Sequence, residues 1–109
     1  MKIEIDEYQK KAFEFASKDA KANPLLNGVL GLFGEGGEIS DLLKKHMFQG
    51  HDLNKDDLVL ELGDVLWYVA EIATSLNVDL SEVAQKNLDK LKRRYPNGFK
   101  KEDSINRHE

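Results

Sequence analysis

Residues 58–76 read LVLELGDVLWYVAEIATSL, and the reading of this stretch decides the fold. Leu58, Leu62, Val65, Val69, Ile72 and Leu76 recur at the period of one helix face. Val59, Leu60, Leu66, Trp67 and Ala73 cover much of the remaining circumference, so the helix is expected to be buried on several sides. Asn54 precedes it as an N-cap. Yet Glu61 and Asp64 stand one turn apart in the middle, and Tyr68 and Glu71 continue their row. Burying an unpaired carboxylate is costly, and two together repel. Protonation, a cationic side chain or a metal ion must compensate.

The preceding helix, predicted over 25–47, repeats the anomaly. Glu35 and Glu38 are three residues apart and face the same way, with Leu32, Phe33 and Ile39 around them. Two such helices packed antiparallel would present four carboxylates to one point. An all-oxygen ligand set favours Mg²⁺ or Mn²⁺ over zinc. The plain alternative is two half-exposed acid pairs balanced by lysines. A di-iron carboxylate bundle needs Glu-x-x-His motifs, and no glutamate stands three residues before His46, His51 or His108. Gly31, Gly34, Gly36 and Gly37 lie in the same helical stretch, where each interior glycine costs about 1 kcal/mol relative to alanine. No strand precedes them and no Gly-Lys-Ser/Thr follows, so they do not form a P-loop. Close helix approach, with room for a ligand beside Glu35 and Glu38, is the better reading.

Two further helices complete the chain, one over 6–21 that Asn23-Pro24 stops and one over 79–94 that ends before Pro96. No segment alternates with period two, so an all-α four-helix bundle is expected. The domain spans 1–99 and a polar tail 100–109. The last helix carries a core stripe of Leu80, Ala84, Leu88 and Leu91. Beside it, Asn87, Lys90 and Arg94 share a face, suited to phosphate. Lys45, two turns past Glu38, could also reach a phosphate. Trp67 and Tyr68 are read as core aromatics.

Charge and size set the remaining bounds. The chain has 109 residues and a net charge of −4, which argues against a protein that coats DNA or RNA. Residues 1–85 carry 8 basic and 16 acidic side chains, whereas residues 86–109 carry 8 basic and 4 acidic ones. An acidic body with a basic end suits a ligand that brings both phosphates and divalent cations. There is no cysteine, hence no disulfide framework or thiolate site. The N-terminus lacks the apolar core of a signal peptide, and no apolar run is long enough to span a membrane. A cytoplasmic protein is expected. At this size, association with a second copy would bury surface that one domain leaves exposed.

Taken in order, Gly34-Glu-Gly-Gly-Glu38, Glu61-Leu-Gly-Asp64-Val-Leu-Trp-Tyr and Asn87-x-x-Lys90-x-x-x-Arg94 resemble the MazG-like nucleoside triphosphate pyrophosphohydrolases over residues 26–99. The resemblance implies an all-α bundle completed by dimerisation, as a homodimer or a dimer of dimers. It implies Mg²⁺-dependent hydrolysis of an NTP or dNTP to the monophosphate and pyrophosphate, for nucleotide-pool clearance. Glu35, Glu38, Glu61 and Asp64 would hold metal, with Glu38 also orienting the attacking water. Asn87, Lys90 and Arg94 would contact the nucleotide. Two departures stand out: many relatives have a second acid beside the first motif, where this chain has glycines, and full-length relatives carry two such domains. The rival reading is a non-catalytic regulatory module that binds metal and nucleotide.

Overall fold

The computed structural model describes residues 2–107. Its elements are α1 (Ile5–Phe13), α2 (Lys18–Ala22), α3 (Pro24–Phe48), α4 (Lys55–Ser75), α5 (Leu80–Arg94) and α6 (Lys101–Ile105). No strand is present among the described residues. The all-α expectation holds, with six helices where four were read.

The two extra helices have local causes. The segment 6–21 breaks because the Ser17 hydroxyl accepts from the Ala20 amide and starts a second helix. Asn23-Pro24 then places a proline in the first turn of α3, where its missing N–H costs nothing. Part of the expected polar tail forms α6, and the last two tail residues lie outside the described ones. Gly98, at φ +80°, makes the turn that brings Phe99 onto Tyr95, with ring centroids 5.0 Å apart.

The frame is an antiparallel pair, α3 and α4, crossed by α1. Helix α3 runs unbroken through its four central glycines. The pairing is legible from its contacts: Asn27 meets Glu71, a Cβ at Gly28 would meet Ile72, and Gly31 lies against Tyr68. Residue numbers rise on one helix as they fall on the other. A Cβ at Gly31 would sit inside the Tyr68 ring, so the two backbones approach this closely only with glycine there. Gly34, Gly36 and Gly37 have nothing within 4 Å of an added Cβ. The close-approach reading of the glycines therefore applies to Gly31 alone of the four, and the matching position one turn earlier is Gly28.

Helix α1 is tied across α4 by polar contacts. The Trp67 indole N–H donates to the Ala12 carbonyl at 3.0 Å. The buried Gln9 amide donates to Thr74 Oγ1 and the Val78 carbonyl, while its oxygen accepts from the Leu80 amide at 2.7 Å. Asp6 accepts from both the amide and the hydroxyl of Ser81. Asp79 makes no side-chain capping bond, so the first turn of α5 is satisfied from α1 instead.

The buried core is small: Ala20, Ala70, Ala73 and Leu80, with Tyr8 and Val69 packed against the last three. This differs from the expected core stripe of α4. Leu62 is 58% exposed and Leu76 59% exposed, whereas Ala70, Glu71 and Ala73 are buried. Stacking of α1 and α3 rotates the buried face toward the small residues, because alanine and glycine admit close helix approach. Helix α5 is buried at Leu80 in its first turn, and residues 81–93 are exposed throughout. The Cα radius of gyration is 16.9 Å, above the roughly 13 Å expected for a compact chain of this length. No described helix is long and apolar enough to cross a membrane.

Candidate metal and nucleotide site

Beyond Gly31 the α3–α4 seam opens, and the acids meet there. Glu35 lies one turn past Gly31 on α3, while Asp64 and Glu61 lie one and two turns before Tyr68 on α4. Ligand oxygens of Glu35, Glu61 and Asp64 all fall within 4.8 Å of one another. Glu35 and Glu61 are half-buried. One Glu61 oxygen, Oε2, is fully buried and has no hydrogen-bond partner among the described residues.

The electrostatics of the cluster are one-sided. The Glu35 carboxyl is pushed up to about 7, first by a hydrogen bond with Glu61, then by desolvation, then by the charges of Asp64, Glu61 and Glu38. Every neighbour named in that shift is an acid. Without a cation the cluster is eased by holding a proton near neutral pH. Desolvation raises the Tyr68 hydroxyl, and the charges of Glu35, Glu71 and Asp64 add to it. Desolvation and Asp64 do the same to Tyr8. An orphaned buried oxygen among three converging carboxylates fits a hard divalent cation, which takes oxygen ligands. Glu35, Glu61 and Asp64 are the residues that could hold it.

Glu38 stands apart from this triad. It is exposed, and it acts by charge on both Glu35 and Lys45. Lys45 in turn holds Asp41 at 2.9 Å, an i, i+4 ion pair on the surface of α3. The basic row is elsewhere. Asn87 and Lys90 line an open groove of about 940 Å³ between α5 and the Leu66 face of α4. Leu66 follows Asp64 by two residues, so that face looks away from the acids. Arg94 closes α5 half-buried and has a partner.

A second cavity, about 590 Å³, adjoins Asp64 on the α1 side and is walled by Tyr8, Phe15, Leu60 and Trp67. Trp67 and Tyr68 stack with centroids 5.2 Å apart.

A profile of the MazG nucleotide pyrophosphohydrolase domain matches residues 25–99 of the chain. The chain belongs to the MazG nucleotide pyrophosphohydrolase family. Its MazG domain begins with α3 and ends after α5, so it contains both acidic pairs and the basic row. The gene 37 protein of Mycobacterium phage L5 is 47% identical over 74 residues. That match covers 64% of this chain and 65% of the phage protein, so the chain spans slightly under two thirds of its relative. No solved structure matches the chain significantly.

Sequence reasoning passed over one pair in the MazG domain. Glu71 is 2% exposed, the most buried acid among the described residues, and both its oxygens accept from Asn27 Nδ2 at 3.0 Å. The signal was present: Glu71 continues the Glu61–Asp64 row and sits between Ala70 and Ile72. Only the position of Asn27, on the other helix, was illegible. The pair locks α3 to α4 two turns from the triad and so fixes the register that brings Glu35 to Glu61.

Proposed function

We propose that this MazG domain hydrolyses a nucleoside triphosphate, or its deoxy form, to the monophosphate and pyrophosphate with Mg²⁺ or Mn²⁺. The observation that carries the reading is the triad Glu35, Glu61 and Asp64, with its orphaned Glu61 oxygen. These three residues hold the metal. When bound, a divalent cation neutralises the triphosphate and polarises its phosphoryl oxygens.

The chain's own residues do the rest. Glu38, one turn from Glu35 and exposed, is placed to orient the attacking water and accept its proton. The water oxygen joins the α-phosphorus, the bond from that phosphorus to the bridging oxygen breaks, and pyrophosphate leaves. Lys90 and Arg94 stabilise charge on the phosphates, and Asn87 hydrogen-bonds the nucleotide. Lys45 reaches a phosphate on releasing Asp41. The cavity beside Asp64 offers the aromatic walls of Tyr8, Phe15 and Trp67 to a flat base. The assembly is a homodimer or a dimer of dimers, and the role is clearance of the cytoplasmic nucleotide pool.

The test is pyrophosphate release across a panel of NTPs and dNTPs with Mg²⁺, at stoichiometric enzyme. Release from at least one nucleotide is expected. Thermal stabilisation by nucleotide without any release would instead identify a non-catalytic binding module.

A further inference from the structure

The cavity between α1 and α4 shares Asp64 with the acidic triad, so the base of a triphosphate held at the triad is within reach of it. Gly63, the residue before Asp64, also lines this cavity. A Cβ at Gly63 would meet nothing within 4 Å, so close packing does not require glycine there. An interior glycine weakens a helix relative to alanine, and no neighbouring helix gains from this one. What it leaves is bare backbone opposite aromatic rings, a slot in which a planar ring can lie.

The hydrogen-bonding inventory of the slot is one-sided. Four of its lining residues have polar side chains: Tyr8, Lys11, Asp64 and Trp67. The Trp67 N–H is spent on the Ala12 carbonyl, and Asp64 belongs to the triad. The Lys11 and Ala12 carbonyls, at the end of α1, already accept from the Glu14 and Phe15 amides. Burial and then the charge of Asp64 raise the Tyr8 hydroxyl, which therefore stands toward the triad. Lys11 remains for the far end. Its ammonium is raised by Glu7 and, less, by Glu14, with no part for Asp64, so it stands clear of the triad. Glu7 holds it at 2.7 Å in an exposed i, i+4 pair, a kind weak enough to yield to a ligand. Glu7 itself does not line the cavity. An ammonium offers donors and no acceptor.

We propose that this cavity selects nucleotides whose base carries a carbonyl oxygen at the edge farthest from the sugar, with Lys11 reading that oxygen and Gly63 forming the bare floor beneath the ring. Uracil, thymine and guanine present such an oxygen. Cytosine and adenine present an amino group there, whose N–H donors oppose those of Lys11. The inference rests on the pyrophosphohydrolase reading and narrows its substrates. Tyr8, Lys11 and Phe15 precede residues 25–99, so the selecting wall lies outside the segment that matches the MazG domain.

Matched pairs of substrates test the assignment: UTP against CTP, dTTP against dCTP, and GTP against ATP, each by pyrophosphate release. The wild type should favour the keto member in kcat/KM by about tenfold, the discrimination that well-placed polar contacts to a base edge supply. Lys11→Met keeps the apolar stem and loses the donors, so the ratio should fall toward one. Lys11→Glu replaces donors by an acceptor and should invert it. Activity without the preference, or a preference that survives Lys11→Met, would overturn the proposal and leave the enzymatic reading intact. Trp67 is the single tryptophan and gives a readout without turnover. The α,β-imido analogues of UTP and CTP, with Mg²⁺, should quench its fluorescence with the UTP analogue binding more tightly; equal affinities would overturn the selection. If no nucleotide releases pyrophosphate while this order persists in binding, hydrolysis fails and base selection stands. Gly63→Ala tests the floor. It should raise the thermal midpoint, because the methyl meets no neighbour, and yet raise KM for every nucleotide. A higher midpoint with unchanged KM would overturn the role of Gly63.

Discussion

Replacing Gly31 and Gly37 separately by alanine should give opposite signs, although both lie in the interior of α3. Each substitution gains about 1 kcal/mol from helix propensity. At Gly37 nothing lies within 4 Å of the new methyl group, so that gain stands alone. At Gly31 the methyl would overlap the Tyr68 ring, with Cζ at 2.5 Å. Tyr68 is itself stacked on Trp67, whose indole is tied to α1, so the ring has little freedom to retreat. Overpacking of this kind typically costs about 1–3 kcal/mol. The expected net is a gain of about 1 kcal/mol for Gly37→Ala and a loss of up to about 2 kcal/mol for Gly31→Ala. Urea unfolding of the metal-free protein reads both, with the midpoint moving while the slope stays constant. Gly31→Ala should also weaken Mn²⁺ binding, because the α3–α4 spacing that sets Glu35 against Glu61 widens. Equal stabilisation by the two substitutions would refute close helix contact at Gly31 and, with it, the route by which the acids are brought together.

Three other outcomes follow from the same geometry. The Glu35 carboxyl binds its proton more tightly folded, near 7, than at its ordinary value of 4.5. Stability from this group is therefore fully present below about pH 4.5 and is lost as pH rises through 7. The thermal midpoint of the metal-free protein should fall across that window, and saturating Mg²⁺ should flatten the decline; a metal-free midpoint that rises there would contradict it. Asn27→Ala strips the buried Glu71 carboxylate of its donor and should destabilise by about 3 kcal/mol, whereas the double variant with Glu71→Leu should recover much of the loss. A denaturant double-mutant cycle reads the coupling. Trp67 is the only tryptophan, so NTP binding should quench its fluorescence if the base enters the cavity beside Asp64. Inorganic triphosphate should leave it unchanged.

How legible this was in the sequence varies residue by residue. Glu35, Glu61 and Asp64 were readable because each breaks an apolar helical pattern, and a carboxylate in such a setting demands compensation. Glu38 follows the same pattern but is exposed and lies outside the triad, although Glu61 and Asp64, at the same i, i+3 spacing, both belong to it. The exposure of Leu62 and Leu76 was not readable. Periodicity identifies an apolar face, not whether this protomer or another covers it. The break at Ser17 needed a capping hydroxyl to outweigh a continuing apolar stripe. The separation of Lys90 from the acids depends on which side of α4 the last helix leaves. That direction is set by Gln9 and Asp6, some seventy residues earlier in the chain.

Everything proposed for catalysis requires the triad to take up a divalent cation. Titration of Mn²⁺ against the metal-free protein, read by loss of the free-ion electron paramagnetic resonance signal, tests this directly. Saturable binding at neutral pH is expected, weakening as pH falls below 7 and abolished in Glu61→Gln and Asp64→Asn. Undiminished Mn²⁺ uptake by both variants, or none by the wild-type chain, would contradict it.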